Sequence, residues 1–157
     1  MLGKIVAESE AAIIKESHAP QQIVFTNGCF DLLHLGHVRY LTAAKRFGDV
    51  LVVGLNSDAS VRQLKGPDRP INSESDRAEI LAALTVVDHV VIFQEMRVSR
   101  LVTILRPDIY VKGGDYSVDS LDRGEVDALR SIGAEIKIVP LVPGRSTTRL
   151  IEAIQRT

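Results

Sequence analysis

The sequence has no tryptophan, three tyrosines and four phenylalanines in 157 residues, so it lacks the aromatic platforms on which single-stranded nucleic acids stack. It has no basic excess either: 19 Lys and Arg against 20 Asp and Glu leave a formal charge of −1, which argues against a dedicated nucleic-acid or acidic-membrane binder. The single cysteine, Cys29, excludes an internal disulfide and suits a reducing, cytoplasmic setting. No apolar run approaches the roughly 18–20 residues that cross a bilayer. The start, MLGKIVAESEAAIIKES, is amphipathic and partly acidic, unlike a secretory signal. Two phosphate-binding signatures are also missing: there is no G-x-x-x-x-G-K-[ST] loop, and no G-x-G-x-x-G follows the first apolar run.

What is present is an alternation. Short, nearly all-apolar runs occur in QIVFTN (within Gln21–Asn27), DVLVVGLN (Asp49–Asn56), DHVVIF (Asp88–Phe93), DIYVKG (Asp108–Gly113) and EIKIVPL (Glu135–Leu141). Such runs suit strands covered on both faces. Segments of helical period separate them. Val38, Leu41 and Ala44 form one stripe before Gly48, and Ser73 with Asp76 resembles a capping box ahead of Ile80, Leu81 and Leu84. Val98, Leu101 and Leu105 share a face ended by Pro107, and Val126, Leu129 and Ile132 repeat the pattern before Gly133. A last helix carries Leu150, Ile151 and Ile154. The expectation is one α/β domain: a Rossmann-like, doubly wound parallel sheet of five strands with helices on both faces, spanning residues 21–157. Residues 1–19 are expected as a helical extension packed outside it.

Ligands of such sheets bind beyond the carboxyl ends of the strands. The residues there are Asn27-Gly28-Cys29-Phe30-Asp31 with His34 and His37, then Asn56-Ser57-Asp58 followed by a loop holding Lys65, Arg69 and Pro70. Lys112-Gly113-Gly114-Asp115 and Gly144-Arg145-Ser146-Thr147-Thr148 complete the rim. Glycines, hydroxyls, imidazoles and lysines on one rim suit a polyanion, and the helix starts near Gly36 and Ser146 add free N–H groups.

HLGH, His34–His37, matches the H-x-G-H signature of the nucleotidyltransferase superfamily, and RSTT, Arg145–Thr148, sits where that superfamily has its second signature. The stretches FTNGCFDLLHLGH, LNSDASVRQLKGPDRPIN, VKGGDY and GRSTT together resemble the adenylyltransferase half of the bifunctional enzyme of ADP-heptose synthesis, from about Ile23 to the C-terminus. The resemblance implies transfer of AMP from ATP to D-glycero-β-D-manno-heptose 1-phosphate, giving ADP-heptose and pyrophosphate. No covalent intermediate is involved, so positioning and charge stabilisation supply the rate. Related activities on the same fold are glycerol-3-phosphate cytidylyltransferase and FMN adenylyltransferase, and a non-catalytic nucleotide-binding regulator is a further class.

The resemblance assigns His34, His37 and Lys65 to catalysis. It assigns Thr26, Asn27, Gly28, Cys29, Phe30, Lys112, Gly113, Gly114, Asp115, Ser146, Thr147 and Thr148, with both histidines, to the nucleotide. Asn56, Asp58, Lys65, Arg69 and Arg77 are the expected contacts of the sugar phosphate. Each has a plainer reading: loop histidines, a small apolar filler at Cys29, core packing for the Phe30 ring, surface ion pairs for Arg69 and Arg77, and capping alone for Ser146. Mg²⁺ is expected to ride on triphosphate oxygens rather than on protein ligands. The partners implied are small molecules, with no nucleic acid and no membrane, and the family habit suggests a homodimer or higher homo-oligomer.

Two departures stand out. Arg145 replaces the isoleucine, or the cysteine of the heptose branch, before Ser-Thr-Thr. QEMRVSR (Gln94–Arg100) lacks the acidic-Thr-Pro stretch frequent in the heptose enzymes, so the next helix is expected to begin differently. The kinase half of the bifunctional enzyme has no counterpart, which predicts a stand-alone transferase fed by a separate kinase.

Overall fold

The computed structural model describes residues 3–114 and 117–157. These form a parallel sheet in the order β1-β4-β3-β2-β5-β6, six strands where the runs predict five. The strands are β1 (Ile5–Val6), β2 (Ile23–Gly28), β3 (Val50–Asn56), β4 (His89–Phe93), β5 (Ile109–Gly113) and β6 (Glu135–Val139). The helices are α1 (Ala11–Ser17), α2 (Leu35–Lys45), α3 (Asp58–Lys65), α4 (Glu74–Ala82), α5 (Ser99–Leu105), α6 (Arg123–Ser131) and α7 (Thr147–Gln155).

The extra strand corrects the reading of residues 1–19. Ile5 and Val6 pair with Val90 and Val91, so the segment begins as the edge strand of the sheet and only its second half, Ala11–Ser17, is helical. Without it β4 would present an unpaired row of N–H and C=O groups, and two β-branched residues are enough to cover part of that row. α1 then returns over the sheet, with Ala11 and Ile14 fully buried.

Alternation along the strands builds two cores. Ile23, Phe25, Val50 and Val52 face α1, α5 and α6 through Ile14, Leu101, Leu105 and Leu129. Val24, Leu51, Val53 and Val111 face α2 and α4 through Leu41, Ala44, Ala78 and Leu81. This is the two-sided burial that the apolar runs imply.

The strand order reverses at β2, whose neighbours are β3 and β5. β2 stays paired with β3 as far as Gly28 and Leu55. Its pairing with β5 covers only Val24 with Ile109 and Phe25 with Tyr110. Beyond that point the two strands part, and a crevice opens at the switch point, where ligands of such sheets bind. Hydroxyls bridge the gap. Tyr40 of α2 lies 2.5 Å from Thr26 Oγ1 on β2 and donates to the Val111 carbonyl on β5 at 2.9 Å. Tyr110 of β5 donates to Asn27 Oδ1 of β2 at 2.7 Å.

α3 is a further correction, because the segment before Lys65 reads as loop. It is a helix capped by Ser57, whose side chain accepts the Ser60 N–H. Lys65 is its last residue and so sits on a rigid element.

Candidate active site

The crevice has two lobes. One, of about 230 Å³, is lined by His34 and His37, Gly36, Tyr40, Lys65, Leu141, Val142 and the run Arg145–Thr148. The other, of about 180 Å³, is lined by Asn27 to Asp31, Lys112 and Gly113. His37, Tyr40, Lys65, Leu141 and Thr147 belong to both, so the lobes join there.

The first turn of α2 fixes the histidines. His34 is its N-cap, and its Nδ1 accepts the Gly36 N–H at 3.1 Å. His37 Nδ1 accepts the His34 N–H at 3.4 Å, closing a reciprocal capping box made of imidazoles. An Nδ1 that accepts carries no proton, so each neutral ring holds its hydrogen on Nε2, away from the helix backbone. The rings stack with centroids 3.8 Å apart. Burial, the neighbouring His34 and Lys65 push His37 down to about 4. Burial and the charge of Arg145 also lower His34. Both are therefore neutral N–H donors at neutral pH rather than cations.

Gly36 is required by contact. A Cβ there would lie 2.8 Å from His34 Cε1 and 3.1 Å from Arg145 Cβ. The glycine lets the His34 ring fold across the helix start and the α7 start abut it. Ser146 caps α7 by accepting the Arg149 N–H at 3.1 Å, and Thr147 Oγ1 donates to the Leu32 carbonyl at 3.2 Å. Two helix N-termini thus meet at one lobe.

Phe30 takes a left-handed conformation, φ 45°, with its ring buried. That backbone costs on the order of 1–3 kcal/mol for a residue with a Cβ. The ring lies 5.1 Å from the His37 ring and packs over Gly28, where an added Cβ would come within 3.0 Å of it. Gly114 also has a left-handed φ of 128°, and its N–H donates to the Val139 carbonyl at 3.0 Å. Asp115 lies outside the described residues.

The expected sugar-phosphate contacts divide. Lys65 faces both lobes, but Asn56, Asp58, Arg69 and Arg77 line neither. Asn56 is buried and its Nδ2 donates to Ser60 Oγ at 2.6 Å. Arg77 is fully buried and donates to the carbonyls of Cys29, Asn56 and Asn72 and to Asp58 Oδ1, at 2.7, 2.9, 3.0 and 2.7 Å. It ties the ends of β2 and β3 to the start of α4, a structural role with every contact inside the protein. Arg69 pairs with Asp31 at 2.6 Å. Thr26, expected at the nucleotide, lies buried against Tyr40 instead of lining a lobe.

Asp31 was not among the expected contacts. Its Oδ1 accepts the N–H groups of Ile71 and Asn72, its Oδ2 accepts Arg69 Nε, and it fastens the Gly66–Ser73 loop. Burial alone would raise this carboxyl, but Asn72, Arg69 and Ile71 outweigh it and hold it below its ordinary range. Both oxygens are engaged, so it has little capacity left as a base. Cys29 lines the second lobe, and burial pushes its thiol up, which disfavours a thiolate nucleophile. Among the described residues, no group of three or more His, Cys, Asp or Glu side chains could hold a metal ion.

Comparison with known proteins identifies the family. The cytidylyltransferase-like family model matches residues 25–153. The chain belongs to the cytidylyltransferase-like family. Its relatives include the bifunctional protein HldE of Syntrophotalea carbinolica, 55% identical over 88% of this chain and 28% of that protein. HldE of Geotalea uraniireducens is also 55% identical, over 92% of this chain and 29% of the relative. The chain thus spans under a third of the length of these relatives. Among solved structures, a lipopolysaccharide core biosynthesis protein from Thermoplasma volcanium aligns with a TM-score of 0.63 at 33% identity, over 78% of this chain and 97% of that one. A pantoate-beta-alanine ligase from Francisella tularensis, at 16% identity and TM-score 0.60 over 98% of this chain and 77% of that one, shares the fold. No helix among the described residues is long and apolar enough to cross a membrane.

Proposed function

We propose that this cytidylyltransferase-like protein is an adenylyltransferase that moves AMP from ATP to a sugar 1-phosphate, D-glycero-β-D-manno-heptose 1-phosphate. The products are ADP-heptose and pyrophosphate. One observation carries the reading: the starts of α2 and α7 meet at a lobe whose lining includes two neutral imidazoles, Lys65 and three hydroxyl side chains, Ser146, Thr147 and Thr148, and no carboxylate. The likeness to HldE proteins and to a lipopolysaccharide core biosynthesis protein supports the sugar branch.

In the reaction an oxygen of the sugar phosphate attacks the α-phosphorus of ATP. The bond from that phosphorus to the bridging oxygen breaks, and its electron pair leaves with pyrophosphate. His37 and Lys65, shared by both lobes, stand where the α-phosphoryl group would lie, so an Nε2–H and an ammonium meet the charge as it develops. Asn27, Gly28, Cys29, Phe30, Lys112 and Gly113 offer the second lobe, and Ser146, Thr147 and Thr148 the first. Mg²⁺ would have phosphate and water as ligands, since the described side chains offer no cluster for it.

The test is pyrophosphate release, assayed with each of ATP, CTP, GTP and UTP against heptose 1-phosphate, glycerol 3-phosphate and FMN. Turnover is expected with ATP and heptose 1-phosphate. Turnover with CTP and glycerol 3-phosphate alone, or with ATP and FMN alone, would overturn the assignment in favour of those reactions.

A further inference from the structure

Beside the first lobe lies a smaller recess of about 110 Å³, lined by His34, Leu35, Gly144, Arg145, Ser146, Arg149 and Leu150. It shares His34, Arg145 and Ser146 with the first lobe and nothing with the second. Its lining holds two arginines and no acid, and neither guanidinium has a carboxylate partner among the described residues. Elsewhere near the rim, Arg69 and Arg77 are each paired with an aspartate. Arg145 is placed by packing, because its Cβ rests against Gly36 at the start of α2. The Arg149 side chain folds back over Gly144, with Nη1 3.4 Å from where a Cβ of that glycine would stand. The Arg145 charge already acts on the neighbouring His34 ring.

We infer that Arg145, backed by Arg149, holds the pyrophosphate leaving group in this recess. The argument is one of direction and rests on the adenylyl-transfer reading. If the α-phosphorus lies where the two lobes join, at His37 and Lys65, the acceptor needs one side of it and the leaving group the other. The recess continues from the first lobe, away from Asn27, Cys29 and Lys112. As the bond to the bridging oxygen breaks, negative charge accumulates on pyrophosphate, and a guanidinium fork meets two phosphate oxygens at once where an ammonium meets one. The resemblance assigns isoleucine or cysteine to position 145, so this contact lies outside the shared signature.

The experiment measures inorganic pyrophosphate binding by calorimetry, and pyrophosphate product inhibition, for wild type, Arg145→Ala, Arg145→Lys and Arg149→Ala. Arg145→Ala should weaken pyrophosphate at least tenfold and Arg145→Lys by less, with unchanged melting and an unchanged KM for the acceptor. Arg149→Ala should weaken it by a smaller factor than Arg145→Ala. His34 followed by NMR should titrate at higher pH in Arg145→Ala. Wild-type pyrophosphate affinity in Arg145→Ala, or no pyrophosphate binding by wild type, would overturn the inference. Calorimetry needs neither nucleotide nor acceptor. It therefore decides this contact even if the turnover matrix assigns a different reaction.

Discussion

The imidazoles of His34 and His37 stack face to face, and each spends its Nδ1 on a backbone N–H of the helix start that carries it. The same bonds that begin α2 therefore set the tautomer of both rings. Folding and chemistry depend on one protonation state, which makes acid a probe of both.

His37 titrates near 6.5 when unfolded and near 4 in the protein. The folded state thus binds fewer protons between those values, so the contribution is complete above about pH 6.5 and is lost as pH falls towards 4. Urea midpoints should decline across that window, and His37→Ala should flatten the decline. A wild-type slope retained in the variant would assign the loss to another group.

His37→Ala should lower kcat far more than it weakens ATP binding, because the Nε2–H contact tightens as charge develops. Loss of one such donor typically costs about 10²–10³ in kcat. Steady-state rates and equilibrium ATP titration separate the two quantities, and equal losses in both would mean that the ring only binds.

Gly36→Ala places a methyl group against His34 and Arg145. Overpacking of this kind costs about 1–3 kcal/mol. Turnover should fall more than stability, since the side chain that must give way is the His34 ring. Activity near wild type in a folded variant would show that the ring position matters less than its contacts suggest.

Arg77→Met should be costly although Arg77 lines neither lobe. The guanidinium satisfies three carbonyls and Asp58, and removing one member of a buried charged network costs about 3–5 kcal/mol. Urea denaturation should show a loss of that order. A change within about 0.5 kcal/mol, the scatter of ordinary surface substitutions, would deny the network its role.

The alternation of apolar runs and helical segments could be read directly, because two-sided burial leaves its mark on nearly every strand position. The pair at His34 and His37 and the hydroxyl run at Ser146–Thr148 were legible for a similar reason: their spacing is local. β1 was not, since two residues carry no period and their conformation depends on the open edge of β4. α3 escaped notice because DASVRQLK has only Val61 and Leu64 as large apolar residues on a polar helix. Arg77 reads as a candidate ligand or a surface ion pair, and Asp31 only as one more residue of the rim. Asp31 meets Arg69, Ile71 and Asn72, 38 to 41 positions away, and Arg77 reaches back 48, 21 and 19 positions to Cys29, Asn56 and Asp58, pairings that no local pattern records. Tyr40 looks like one more member of an amphipathic helix, although its hydroxyl spans two strands.

The early parting of β2 from β5 has a consequence for how a guest is received. An opening made by divergence of the central strands, and propped by tyrosine hydroxyls, is built into the sheet itself. A visiting nucleotide would not have to order the floor of its own berth. Discrimination among guests can then be left to the peripheral segment Leu141–Arg145, which can change in sequence while the middle of the sheet stays as it is.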